Sequence, residues 1–170
     1  KDIQTGLQMM QRAANAGDPF DQTKLAQALI TLGRIDEALP WFRNAAIQDY
    51  SYAQALLGDL LIKSKRSDEE IQEGKDWLIR SAESGYDFAQ HSLGFAYQHG
   101  QFGEPDFKEA AYWYKKAANQ EYSYAQNSLG HLYWNGQGVS QDYAAAIDLF
   151  RRAANLGESN SKLMLGYAYL

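Results

Sequence analysis

The side chains with the most chemistry to offer are three histidines, one run of carboxylates and an adjacent Ser-Lys pair. His91 and His99 stand eight residues apart. On a helix that is two turns, so they share a side but lie about 12 Å apart at a 1.5 Å rise per residue, too far to hold one ion. His131 lies further along and could approach one of them, but no carboxylate triad accompanies it. The chain has no Cys, which excludes disulfides, thiolate metal sites and cysteine nucleophiles. No G-x-S-x-G elbow is present, and Ser161 and Lys162 are adjacent rather than spaced as a Ser-x-x-Lys nucleophile requires. Asp68, Glu69, Glu70 and Glu73 stand where a helix begins, and acidic residues there favour the helix dipole. The expectation is a protein without catalytic residues, metal site or cofactor.

Charge and hydropathy narrow the partners. The 16 basic and 21 acidic residues among 170 leave a formal charge of −5, whereas nucleic-acid binding usually shows a basic excess. The apolar runs are as short as Leu60-Leu61-Ile62, far below the ~20 residues that span a bilayer, so no membrane insertion is expected. Aromatics make up 14% of the chain and there are 14 Gly against 3 Pro. That pairing of large rings with glycine needs an explanation.

A repeat supplies it. Leu57-Gly58, Leu93-Gly94, Leu129-Gly130 and Leu165-Gly166 recur every 36 residues. Ala45-Ala46, Ser81-Ala82, Ala117-Ala118 and Ala153-Ala154 keep the same step, as do Trp41, Trp77, Trp113 and Leu149. Self-similarity of this kind is the signature of repeat architectures. Within a unit, Ala125, Leu129, Leu132 and Tyr133 fall on one helical face, as do Ala146, Leu149, Phe150 and Ala153. Asn135-Gly136-Gln137-Gly138 between them is turn chemistry. Asp106 and Asp142 stand at N-cap positions, and Gly157 is a stop signal. Each unit reads as helix, loop, helix, short turn.

The register predicts about ten helices. Residues 4–16 form a lone second helix. First helices run near 21–32, 52–64, 87–99, 123–135 and 159–170, and second helices near 35–48, 68–84, 106–119 and 142–155. Mid-helix Gly costs roughly 1 kcal/mol relative to Ala, so four at one repeat position call for close approach of a neighbouring helix backbone. The first unit has Ala26 there, which keeps a small residue. Trp41, Trp77, Trp113, Phe42, Leu78, Tyr114, Phe150, Tyr97, Tyr133 and Tyr169 follow core registers. Apolar Leu163, Leu165 and Tyr169 lack a stacking partner in the sequence, so the native chain is expected to carry further repeats, or a partner chain to cover this end.

Residues 125–157 carry Ala125, Leu129-Gly130, Tyr133, Gly136, Gly138-Val139, Asp142, Ala146, Phe150, Ala153-Ala154 and Gly157. This pattern resembles the Sel-1-like repeat, a longer relative of the tetratricopeptide repeat. Residues 89–121 match with Phe102-Gly103 in the loop, no Val after it and Glu121 at the last Gly position. Residues 53–85 keep Ala53, Leu57-Gly58, Gly74-Lys75, Trp77-Leu78 and Gly85, with a charged loop from Lys63 to Glu70. The first unit is four residues shorter and is similar to a tetratricopeptide unit. The resemblance implies an all-α fold: a right-handed α-α superhelix, or solenoid, of about four to five 36-residue helix-turn-helix repeats, the first shortened to 32. One domain over 1–170 is expected, with a partial repeat at 1–20, repeats at 21–52, 53–88, 89–124 and 125–160, and a truncated repeat at 161–170.

For function, the resemblance implies a non-enzymatic scaffold or adaptor that binds a partner protein or extended peptide in its concave groove, in bacterial envelope, secretion or assembly. A periplasmic or envelope location is expected, with the cytoplasm as alternative. A toxin-neutralising protein and a glycan-binding envelope protein stand as other readings, and a hydrolase is disfavoured. By the same resemblance, the groove positions are first-helix residues outside the core register. They are Phe20, Thr23, Gln27 and Ile30; Tyr52, Ala55, Asp59 and Ile62; Phe88, His91, Phe95, Gln98 and His99; Tyr124, Asn127, His131, Trp134 and Asn135; and Asn160, Leu163 and Tyr167. Among these, Tyr52, Asp59, Phe88, His91, Phe95, His99, Tyr124, Asn127, His131, Trp134 and Tyr167 are the expected partner-binding residues. Phe95, His99, His131 and Trp134 are the expected anchors, because aromatic anchors dominate such interfaces.

Overall fold

The structure, a computed structural model, describes residues 2–64 and 67–168. Among them are ten helices and no strand: α1 (Asp2–Ala14), α2 (Pro19–Thr31), α3 (Ile35–Ala46), α4 (Ser51–Ser64), α5 (Asp68–Glu83), α6 (Asp87–Gln98), α7 (Phe107–Asn119), α8 (Ser123–Asn135), α9 (Tyr143–Asn155) and α10 (Ser159–Ala168). Even-numbered helices are the first helices of the repeats and odd-numbered ones the second. The expected bounds are met within two or three residues. Tyr169, expected in the core, lies outside the described residues.

Capping explains where the helices begin. The Asp18 carboxylate accepts from the Phe20 and Asp21 amides at 2.9 and 3.1 Å. Asp106 does the same for Lys108 and Glu109 at 3.0 Å each. Asp142 accepts from Ala145 N–H at 2.9 Å, and Ser67 from Glu70 N–H at 3.2 Å. Each satisfies an amide that the first turn leaves without an intrahelical acceptor. The long loops close alike one repeat apart: Asp106 N–H donates to Tyr97 C=O at 2.9 Å, and Asp142 N–H to Tyr133 C=O at 3.0 Å. Gly136 and Gly138 sit at φ +66° and +70°, the left-handed region that glycine enters without steric cost. Gly138 lies directly against the Phe107 carbonyl, so the loop of one repeat rests on the preceding one.

The chain forms two compact units, residues 1–84 and 85–170. In the first, α2 pairs with α3 and α4 with α5, around Leu25, Ala26, Leu29, Phe42, Leu57 and Leu61. In the second, α6 pairs with α7 and α8 with α9, and α10 stands on α9. Its core gathers Ala110, Tyr114, Ala117, Ala125, Leu129 and Leu132.

The repeated glycines mark where helices touch. A Cβ added at Gly58 would lie 2.6 Å from the Gly74 carbonyl oxygen, and one added at Gly74 would lie 2.8 Å from the Gly58 oxygen. This is backbone on backbone, as expected. At Gly94 and Gly130 the expectation needs correction. There the neighbour is a ring, Tyr114 and Phe150 respectively, at 2.6 Å from the added Cβ. The absent side chain makes room for an aromatic one. Gly166 meets nothing within 4 Å.

The tryptophans are less uniform than the register suggests. Trp113 is 7% exposed, but Trp41 and Trp77 are only half-buried against their core. The Trp77 indole N–H donates to Glu73 at 3.3 Å and Arg80 lies over its ring at 5.3 Å. It occupies a shoulder of α5 with its edge toward solvent.

Gly58→Ala should destabilise by about 2 kcal/mol in urea unfolding. Overpacking against a fixed backbone costs ~3 kcal/mol, and the gain in helix propensity returns ~1. Gly166→Ala, with no neighbour to strike, should stabilise by up to ~1 kcal/mol. The opposite order would contradict the close-contact account.

Candidate functional site: the first-helix faces

The eleven expected partner-binding residues fall into separate groups. Tyr52 and Asp59 belong to the first unit. The Tyr52 hydroxyl accepts from the Gln27 amide at 2.6 Å, which ties α4 to α2. Asp59 pairs with Lys63 at 2.7 Å one turn along α4. Between α2 and α4 lies a cleft of about 320 Å³, with Phe42, Ile30, Leu56 and Leu60 as its apolar lining and Gln27, Thr31, Asp59 and Lys63 around it. The short connection from Leu32 to Arg34 lies at the α2 end of this region. Thr23, Ala55 and Ile62, also on the groove register, are buried in this unit.

The second unit holds the remaining nine. Phe88 is half-buried beside Tyr86, ring centroids 6.3 Å apart. His91 sits inside a tyrosine cluster, 5.5 Å from Tyr114, 5.3 Å from Tyr122 and 6.3 Å from Tyr124. Tyr124 itself is 58% exposed. Phe95 is 38% exposed and stacks on His99 with centroids 3.9 Å apart at an angle of 25°. His99 Nδ1 lies 2.9 Å from the Phe95 carbonyl oxygen, so the ring pair is fixed to its own helix end.

Asn127, His131 and Trp134 lie on α8. Asn127 Oδ1 accepts from the Ser161 hydroxyl at 2.9 Å, binding α8 to α10. His131 lies edge-on to Phe150 at 5.1 Å, and Trp134 packs edge-on against Tyr143 at 4.9 Å. Both are half-buried against α9. Tyr167 stands exposed on α10.

Burial acts on two of these neighbourhoods. The Tyr114 phenol is pushed well above its ordinary range by desolvation, and its O–H donates to Gln98 at 2.8 Å. Desolvation lowers the His131 imidazole below 6.5, opposed by the negative charge of Glu158. Glu158 is itself buried and accepts from Ser161 N–H at 2.7 Å, capping α10.

Two repeated features escaped the sequence reading. Gln22, Gln54, Gln90 and Gln126 stand three residues before the first-helix leucine, and all four are buried. Gln54 donates to Ala46 C=O at 3.0 Å, and Gln126 to Ala118 C=O at 3.3 Å. On α4 and α8 a buried amide thus satisfies a carbonyl at the end of the preceding second helix. Tyr50, Tyr86 and Tyr122 recur just before the first helices, and each ring meets the aromatic two residues on, at 6.0, 6.3 and 5.6 Å. The 36-residue recurrence of both was the available signal.

Among the described residues, no three His, Asp or Glu side chains converge as a metal ligand set, and no helix is long and apolar enough to cross a membrane.

A native-state pKa below 6.5 for His131 means that the unfolded chain takes up the proton first as pH falls. Stability should therefore drop as pH falls from 7 toward 5, through the depressed value. His131→Gln should flatten that part of the curve, measured by urea unfolding at fixed pH steps. An unchanged slope in the variant would contradict the burial of the neutral ring.

The Sel1 repeat model matches residues 1–18, 51–86, 87–122 and 123–158. No curated protein matches the chain. Among solved structures, the chain is similar to c5321, a protective antigen of uropathogenic Escherichia coli strains with an SLR fold, at 30% identity and a TM-score of 0.85. It covers 96% of this chain but only 36% of the antigen. A Sel1 repeat protein from Oxalobacter formigenes has 29% identity and a TM-score of 0.85, over 99% of this chain and 71% of that one. Cysteine rich protein B of Helicobacter pylori has 27% identity and a TM-score of 0.56, over 71% and 92%. The repeat matches span most of the chain and its helices keep the repeat's order, so the protein is a member of the Sel1-repeat family, all-α and built from helix-turn-helix repeats.

Proposed function

We propose that this chain is a non-enzymatic scaffold whose second unit binds an extended segment of a partner protein across its first-helix face. Sel1-repeat proteins are generally protein-interaction scaffolds and typically non-catalytic, which supports the class. The observation that carries the reading is the Phe95–His99 pair, an apolar ring held rigid at the surface by stacking rather than absorbed into the core. Tyr124, on the next first helix α8, offers a second exposed ring beside the His91 cluster. Rigid aromatics flanked by hydrogen-bonding groups supply contact area at little cost in conformational entropy. His131 and Trp134 back this surface from α8 and stiffen it through Phe150 and Tyr143.

The test is capture of partners from the native host by the chain and by its Phe95→Ala and Tyr124→Ala variants. Truncating a central anchor typically costs 2 kcal/mol or more, about thirtyfold in affinity. Both variants should lose the partner while unfolding within about 1 kcal/mol of the parent, since neither ring is buried. Undiminished capture by both would overturn the assignment.

A further inference from the structure

We infer that the segment taken up by the second unit is uncharged along the stretch that lies on α6 and α8, and that it is recognised by its apolar side chains and its peptide groups. The inference rests on the reading that this face binds an extended segment. It starts from how ionised side chains are sorted in the second unit. α6 and α8 together carry one, Asp87, which sits in the first turn of α6, where a carboxylate favours the helix dipole. The second helices paired with them are charged. α7 carries Lys108, Glu109, Lys115 and Lys116, and α9 carries Asp148, Arg151 and Arg152.

The repeat does not impose this neutrality. On α4 of the first unit, Asp59 and Lys63 form an ion pair at 2.7 Å. One repeat on, the same two positions of α6 hold Phe95 and His99, whose rings stack. One repeat further, α8 holds His131 and Asn135 there. The register therefore accepts an ion pair, and the second unit replaces it twice with neutral side chains. Rings enriched and charges depleted is the composition of an interface core.

The same composition sets what the face can accept. An ionised side chain laid on it would lose water without meeting an opposite charge, and a buried charge is costly unless paired. The face thus selects against acidic and basic segments alike. In place of charge it presents neutral hydrogen-bonding groups. The Gln98 side-chain carbonyl accepts from the Tyr114 hydroxyl at 2.8 Å, and that of Asn127 from Ser161 at 2.9 Å. Each keeps amide hydrogens that donate to no other described residue. His99 Nδ1 faces the Phe95 carbonyl, which only accepts, so the neutral ring carries its hydrogen there and leaves Nε2 as an acceptor. Amide donors and an imidazole acceptor match the C=O and N–H groups of an extended backbone. The exposed rings of Phe95 and Tyr124 match its apolar side chains.

The experiment is selection of short random peptides displayed on phage against the chain. Each selected peptide is then measured by fluorescence anisotropy on the parent and on its Phe95→Ala and Tyr124→Ala variants. Peptides weakened by either variant should lack Asp, Glu, Lys and Arg across their binding stretch. Their affinity should change less than about twofold between low and high salt, because no ion pair is there to be screened. A Lys or a Glu placed at the centre of such a peptide should each weaken it at least about tenfold. Ring-dependent peptides that share an acidic or basic residue, or that release steeply with salt, overturn the inference and leave the groove reading in place. Peptides indifferent to both variants, or a selection that yields none, overturn the groove reading and this inference with it.

Discussion

The contact between first and second helix at a residue without a side chain is the constraint on which this structure depends. Where both partners are small, as at Gly58 and Gly74, the backbones touch. Where the second helix brings a ring, as Tyr114 to Gly94 or Phe150 to Gly130, the glycine leaves the space the ring fills. The two solutions occupy one register position, while eight of the remaining glycines sit at positive φ in the turns between helices. The first unit keeps Ala26 at this position, with Phe42 in the same core, so a small residue rather than glycine alone is the requirement; a glycine facing nothing only lowers helix propensity.

Close approach has a further consequence. Helices brought this near bury their ends, and buried carbonyls must be satisfied. The buried glutamines do this: Gln54 and Gln126 each donate to the last turn of the preceding second helix. The rings of Tyr50, Tyr86 and Tyr122 stand at the entries of α4, α6 and α8 and meet the aromatic two residues on. With glycine, glutamine and tyrosine fixed in these tasks, other side chains are left at the surface. Phe95, His99 and Tyr124 are among them, and their order comes from their own helix and its neighbours rather than from the core.

Most of the architecture was legible in the sequence because it is periodic. The Leu-Gly and Ala-Ala pairs gave the register, and Asp106 and Asp142 gave the helix starts. What periodicity could not supply was the difference between equivalent positions. Trp77 and Trp113 share a register, but Trp77 leans on Glu73 and Arg80 at a shoulder while Trp113 is buried. The Arg43 guanidinium grips Glu73 through two bonds of 2.8 and 2.7 Å and holds that carboxylate below its ordinary range. No spacing rule announces a pair thirty residues apart. Phe95, His131 and Trp134 stand where the repeat pattern asks for no apolar residue, and only the fold shows α9 packed behind His131 and Trp134 while Phe95 is left at the surface.

The central claim is that partner recognition lies on the first-helix face of the second unit. Site-specific photo-crosslinking in the native host tests it most directly, with the photoreactive residue placed at position 95, at 124, or at 112 on second helix α7, where Tyr112 is also exposed. The account predicts one common protein adduct from 95 and 124 and none from 112. A partner trapped equally from 112, or from 112 alone, would contradict it.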